Sequence, residues 1–324
     1  MHRYKIILSF ASHNVKQFHL HKRYIIKYNN HKTRQKGMVV SFMARYSIVI
    51  DAGRCTACNN CVTACKDEHC GIETKVSAPQ PHTGQNWIRI DSVERGNDPR
   101  RVKTSNVPTP CIHCQGAPCQ ESGNDGAVYT RPDGIVIIDP EKAKGQRQLV
   151  DACPINAIFW NEELDLPQKC TMCAHLLDEG HSMPRCVEAC PNEALIFGDM
   201  NDLGSKINRL IAQGRVTPLK GFLAKDSESN VIHLNIPTVF AAGTVCLPGN
   251  EPADGAIVIL KNLNTGDTHA MHTNNLGDWE FEWLDKSAEY KLEILFGDYE
   301  HKPFRFIADT DKYLGEIILT RPAS

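Results

Sequence analysis

The chain has 324 residues, 41% of them hydrophobic and 23% charged, which allows about two globular domains with sizeable cores. No apolar run approaches the ~18 residues of a membrane-spanning helix and no secretory leader is recognisable, so a cytoplasmic protein without direct membrane insertion is expected. The net charge of −2 is unevenly spread: residues 1 to 42 carry nine Lys/Arg and no Asp or Glu, leaving 27 basic against 38 acidic side chains from Met43 onward.

A basic arm can bind nucleic acid or an anionic surface. This one mixes its charge with Ile, Tyr, Phe and five His, without a helical or strand period. Residues 1–44 therefore read as an accessory extension or an over-extended start, and no nucleic-acid partner is expected. The first strand is predicted from Tyr46 through Ile48-Val49-Ile50-Asp51, and it leads into Cys55, Cys58, Cys61 and Cys65 in CTACNNCVTAC. Cys111, Cys114 and Cys119 follow in CIHCQGAPC, then a solitary Cys153 before Pro154. The last group is Cys170 and Cys173 in KCTMC, with Cys186 and Cys190 before Pro191.

Three thiolates at i, i+3 and i+6 let a short loop wrap one face of an iron–sulfur cube. A fourth, three or four residues on and usually before proline, ligates the other cube of a pair. The first group has this pattern, with Lys66 where proline is usual. Zinc also uses paired Cys-x-x-Cys, but a third cysteine at i+6 and a Cys-Pro ending fit zinc knuckles poorly. Disulfides suit small secreted scaffolds rather than tight Cys-x-x-Cys groups in a chain of this size.

The chain repeats itself. Ile137-Ile138-Asp139 precedes Ala143 as Ile50-Asp51 precedes Cys55, so Gln146 stands opposite Cys58, Leu149 opposite Cys61 and Cys153 opposite Cys65. In a second register Cys153-Pro-Ile-Asn-Ala-Ile and Cys190-Pro-Asn-Glu-Ala-Leu align with Gly123-Asn-Asp-Gly-Ala-Val. Four motifs would supply sixteen ligands, of which positions 123, 143, 146 and 149 are lost. If the second and third motifs exchange their fourth ligands, Cys111, Cys114, Cys119 and Cys153 form one whole cluster and the four losses are one absent cluster. The same symmetry pairs Cys55, Cys58 and Cys61 with Cys190, and Cys170, Cys173 and Cys186 with Cys65, although self-contained groups would satisfy the count there equally.

Cys70 and Cys246 fall outside the scheme and read as small apolar residues. The nine histidines from His69 onward show no spacing of a metal or catalytic pair, and His113 is expected to turn the backbone rather than bind iron. Lys169 and Arg185, each just before a cysteine, are either charges that tune a cluster or solvated surface. No dinucleotide fingerprint, nucleophile elbow or phosphate loop occurs, so no catalytic residue is assigned.

Leu203, Ile207, Leu210 and Ile211 recur at helical spacing before Gly214, which predicts a connecting helix within a linker spanning 201–236. From 237 to 324 the period changes to two. Seven short strands near 239–246, 256–262, 267–273, 278–284, 289–296, 303–308 and 315–320 predict an antiparallel β-sandwich or barrel with its aromatics in the core. The fold class is thus α+β, a tandem bacterial-ferredoxin-like domain over 45–200 followed by a β domain.

The segments CTACNNCVTACKDEH, PTPCIHCQGAPC, DGIVIIDPEKAKG, CPINAIFWNEE and QKCTMCAHLLDEGH resemble the iron–sulfur small subunits of dimethyl-sulfoxide-reductase-family molybdenum enzymes. With three clusters and an appended β domain, the chain is most similar to the pyrogallol–phloroglucinol transhydroxylase and resorcinol hydroxylase branch. The resemblance implies three 4Fe-4S clusters on the twelve cysteines above, and a large catalytic subunit as partner in a heterodimer. That partner would hold the molybdenum bis-pterin cofactor and act on phenolic aromatics. It also implies that the absent cluster is the distal one, beside the membrane anchor of four-cluster relatives. The rival functions are a relay subunit of a membrane-bound molybdenum oxidoreductase or hydrogenase complex, and a free-standing ferredoxin-like donor.

Overall fold

The computed structural model describes residues 43–217, 219 and 229–321, which form one compact unit; the basic extension lies outside the described residues apart from its last two positions. The cysteine-bearing part runs β1 (Tyr46–Asp51), α1 (Asn60–His69), β2 (Ile88–Asp98), β3 (Arg101–Pro110), α2 (Pro118–Ser122), β4 (Val128–Thr130) and β5 (Val136–Ile138). It continues through α3 (Gln148–Asp151), β6 (Phe159–Asn161), β7 (Leu166–Gln168), α4 (Ala174–Asp178), α5 (Arg185–Glu188) and β8 (Leu195–Asp199). Then come α6 (Lys206–Gln213) and β9 (Val231–Leu234).

β1 is apolar without a break because it is the central strand of β8-β1-β9 and is covered on both faces. Ile48 and Ile50 point into the core that holds most of the cysteines, whereas Val49 packs with Ile196, Leu234 and Ile207 of α6 on the other side. β8 runs antiparallel to β1 and β9 parallel to it. The helix expected from Leu203 starts later, because the Ser205 hydroxyl caps it by accepting from the Asn208 amide. Leu203 stays outside and exposed, and Ile207 is fully buried, so α6 is packed against the sheet and is no mere connector. Gly214 ends it, its amide bonding the Leu210 carbonyl at 2.7 Å. β9 lies in the stretch expected to be linker; four residues, Val-Ile-His-Leu, are too short to announce a strand without the partner they dock on.

β2 and β3 form a long antiparallel hairpin, from Ile88 opposite Pro110 to Asp98 opposite Arg101. Its far end grips the C-terminal strands. Arg95 makes a two-pronged ion pair with Asp311, and Arg101 pairs with Asp278 at 2.6 Å. Lys103 bonds both Glu280 and Glu282, and the Arg100 guanidinium stacks 4.6 Å from the Tyr313 ring centre.

The C-terminal strands are β10 (Val239–Cys246), β11 (Ile257–Asn262), β12 (Thr268–His272), β13 (Asp278–Leu284), β14 (Glu289–Leu295), β15 (Phe304–Ile307) and β16 (Lys312–Ile318). All seven expected strands are present. They make two sheets, β13-β10-β16 and β12-β11-β14-β15, whose inward residues, among them Val245, Leu260, Trp279, Leu292 and Ile317, share one core. The pairing is not wholly antiparallel: β16 crosses over from the other sheet after Asp309–Asp311 and joins β10 parallel. Gly243 makes that close approach possible, since a Cβ there would stand 2.8 Å from the Trp279 ring and 3.1 Å from the Gly315 carbonyl. The alternation expected through Trp283 breaks at that residue. Its φ of 63° turns it out of the core beneath Arg215, and Leu284 takes the inward place.

Candidate iron–sulfur centres

The repeats read from the sequence recur as backbone geometry. At the third position of each triplet loop the chain enters the left-handed region: Ala57 (φ 55°), His113 (φ 47°), Met172 (φ 53°) and, in the motif without thiols, Gly145 (φ 74°). The residues three after Cys153, Cys190 and Gly123 do the same: Asn156 (φ 53°), Glu193 (φ 48°) and Gly126 (φ 68°). Left-handed backbone is uncommon outside glycine, so its return at matched positions identifies four copies of one loop. These turns aim amides at sulfur. Met172 N–H donates to Cys170 Sγ at 3.3 Å and His113 N–H to Cys111 Sγ at 3.5 Å. Ala157 donates to Cys153 and Ala194 to Cys190, both at 3.2 Å.

Cys111, Cys114, Cys119 and Cys153 line one cavity, together with His113 and Lys169. A second is lined by Cys55, Cys58, Cys61 and Cys190. α1 carries Cys61 and Cys65 one turn apart, so Cys61 faces that cavity and Cys65 the next group. Among thiols, Cys170 and Cys173 act most strongly on Cys65, and Cys173, Cys65 and Cys170 on Cys186. The chain thus brings Cys190 to the first triplet and Cys65 to the last group. Cys61 also acts on Cys65 and Cys186, and Cys111 on Cys170, so the Cys65 set neighbours both of the others and is the middle one of the three.

The four positions without thiols are filled. Ala143 and Leu149 are fully buried with Val128 and Ile138. A Cβ on Gly123 would meet Val128 at 3.3 Å and Leu149 at 3.5 Å. The Gln146 amide is spent on the chain, accepting from Asn124 N–H at 2.9 Å and donating to the Lys142 carbonyl at 2.8 Å.

Burial and crowding with other thiols push the cysteines up: Cys61, Cys119 and Cys170 to about 11, Cys114 and Cys173 to about 12, Cys65 and Cys186 well above the ordinary range. Unligated, these groups stay neutral at physiological pH, and binding them as thiolates to metal releases protons. The walls fit an iron–sulfur cube. Among the described residues no three His, Cys, Asp or Glu side chains converge as a single-ion chelate does; the thiols ring cavities instead. His113 supplies a further sign. Its Nδ1 accepts from Val136 N–H at 3.1 Å, so the neutral ring carries its proton on Nε2, which is buried without a protein partner beside the cavity. Such an N–H is free to donate to a cluster sulfur.

Sequence reasoning missed the surroundings of the middle set. His69 is 1% exposed, tilted against Trp87, with Nε2 3.7 Å from Cys173 Sγ. His175 lies against it and bonds Glu68 at 2.9 Å, and Glu68 also meets Arg185 at 3.4 Å. Neither histidine has a spacing signal, because their partners are far along the chain. Of the two residues left open between a tuning charge and solvated surface, Lys169 is buried, whereas Arg185 is a part-exposed member of an ion-pair cluster. Cys70 stands 3.1 Å from His82 Nδ1, and Cys246 is buried in β10.

Residues 102–200 match the model of the 4Fe-4S dicluster domain family. The pyrogallol hydroxytransferase small subunit of Pelobacter acidigallici is 37% identical over 258 residues, covering 78% of this chain and 91% of the relative. The iron-sulfur subunit of a putative dimethyl sulfoxide reductase from Halobacterium salinarum is 36% identical over 200 residues, 53% of this chain and 72% of that one. A tetrathionate reductase subunit of Salmonella typhimurium is 33% identical, covering 53% and 64%. The first match, at 78% of this chain, is longer than the cysteine-bearing half, whereas the other two cover 53% each. The chain therefore belongs to the iron–sulfur electron-transfer subunits of the dimethyl-sulfoxide-reductase family of molybdoenzyme complexes, in the branch of the pyrogallol hydroxytransferase small subunit.

Proposed function

We propose that the chain holds three 4Fe-4S clusters, on Cys55/Cys58/Cys61/Cys190, on Cys65/Cys170/Cys173/Cys186 and on Cys111/Cys114/Cys119/Cys153, and serves a molybdopterin-containing large subunit that acts on phenolic aromatics. Bound clusters supply one-electron chemistry. The chain's own part is to fix their spacing, keep water from the middle set and present sulfur with amide donors. The observation that carries the count is the filled fourth site, where Gln146, Leu149 and Ala143 leave neither a thiol nor room. The phenolic substrate rests on the small-subunit relative that matches both halves of the chain. The seven C-terminal strands are read as a β-sandwich docking module over 237–324 and the cysteine-rich domain as 45–200, completed by α6 and β9, which pack on and extend its sheet.

Chain purified anaerobically with its partner is expected to hold about 12 iron and 12 acid-labile sulfide per copy; sixteen iron, or zinc, would sink the reading. Cys153→Ser should damage the Cys111/Cys114/Cys119 cluster alone, leaving the other two spectra unchanged.

A further inference from the structure

A single buried charge stands between two of the thiol sets. Lys169 is 3% exposed, and its ammonium donates to the Val136 carbonyl and, at 3.1 Å, to the Cys170 carbonyl. No carboxylate lies within 4.0 Å of it among the described residues. It lines the cavity of Cys111, Cys114, Cys119 and Cys153, and it directly precedes Cys170 of the middle set. The same residue donates its N–H to His113 Nδ1, so Val136 ties the ammonium and the imidazole to one strand beside the cavity.

An ammonium withdrawn from water demands a counter-charge. Carbonyl dipoles orient it but do not neutralise it. A 4Fe-4S core bound by four thiolates is a net anion and becomes more negative on reduction, and the potential of such a cluster follows nearby charge. Lys169 reaches both sets by position, since it lines the cavity of the Cys111 set on one side and bonds the Cys170 carbonyl of the middle set on the other.

Resting on the ligand sets proposed above, we propose that Lys169 is the shared counter-ion of two clusters, the one in the Cys111/Cys114/Cys119/Cys153 cavity and the one on Cys65/Cys170/Cys173/Cys186. It raises the potentials of both together and so keeps the electron step between them level. The cluster on Cys55/Cys58/Cys61/Cys190 lies outside its influence.

The test is an EPR-monitored redox titration of the anaerobic complex, with iron assayed first. In Lys169→Met and Lys169→Gln, at the poise that half-reduces each wild-type cluster, the reduced fraction relative to oxidised should fall about tenfold for two clusters, which is 59 mV for a one-electron couple. The third cluster serves as internal reference and stays put, and Lys169→Arg titrates near wild type. Gln keeps donors for the Val136 and Cys170 carbonyls without the charge, so wild-type potentials in that variant would reduce Lys169 to a clamp and overturn the proposal. A shift of one cluster alone would overturn the sharing. If the neutral variants lose iron, the proposal expects two sites' worth, about 8 of 12, with full iron in Lys169→Arg; loss from one site only overturns it. Failure of the ligand sets is seen separately, as wild-type iron other than about 12 or an intact Cys111/Cys114/Cys119 cluster in Cys153→Ser.

Discussion

His69 shows what a single side chain contributes around the middle thiol set. Burial, with the neighbouring His175 adding to it, holds its imidazole down to about 3 against an ordinary 6.5. The folded chain binds that proton less readily than the unfolded one, so the stability tied to neutral His69 is complete above pH ~6.5 and is lost as pH falls from there toward 3. Between pH 6.5 and 5 the loss is about 2 kcal/mol. His69→Gln removes the packing on Trp87 but also this titration, so the gap in melting temperature between wild type and variant should narrow from pH 7 to pH 5. An equal gap at both values would show that the ring is not desolvated. None of this is legible in the sequence, where His69 is one more polar residue after Cys65. The thiols are legible because their chemistry fixes their spacing, whereas a residue that leans on a ligand from another segment carries no period.

At the scale of elements, the β2–β3 hairpin is the strap between the two halves, and its ion pairs are partly withdrawn from water. Arg95 and Asp311 are each 14% exposed at the side chain, and Asp311 also accepts from the Phe240 amide at 3.0 Å. Arg95→Ala strands that carboxylate and should cost about 2–3 kcal/mol, whereas adding Asp311→Ala to it should cost little more. Denaturant unfolding followed by tryptophan fluorescence reports both, because Trp279 sits in the C-terminal core; additive losses would mean that the pair is not coupled. The seven C-terminal strands can be read from alternation alone, since each shows one face to a core. The hairpin cannot, because both its faces are largely polar along β2 and its partners are the acidic strands far downstream. Trp283 departs from its expected face for a related reason: alternation assumes a regular strand, and a left-handed residue shifts the face by one.

Over the whole molecule the packed Ala143/Leu149 site adjoins the Cys111/Cys114/Cys119/Cys153 set. On the proposed ligand sets, a relay would have no cofactor position at that site from which to serve a membrane quinone. The reduced complex is accordingly expected to be reoxidised rapidly by a soluble redox dye and not, in saturable fashion, by a quinone analogue. Stopped-flow absorbance reads both, and quinone-specific turnover would favour the membrane-relay alternative. Among the described residues no helix is long and apolar enough to cross a membrane. The repeats of the cysteine motifs, including the motif without thiols, are legible in the sequence and return as matched left-handed turns at Ala57, His113, Met172 and Gly145. Which sets are neighbours is not legible, because it depends on α1 holding Cys61 and Cys65 on one face, a turn apart along its axis, beside different partners.

That turn of α1 has a bearing on how the protein is made. The pocket begun by Cys55, Cys58 and Cys61 lacks its last wall until Cys190 has been synthesised, and the Cys65 set waits on Cys186. The Cys111 set, by contrast, is complete at Cys153. A nascent chain leaving the ribosome therefore closes its third pocket first and carries the opening cysteines unsatisfied through more than a hundred residues of synthesis. A stop between Cys153 and Cys186 yields a chain with one finished site.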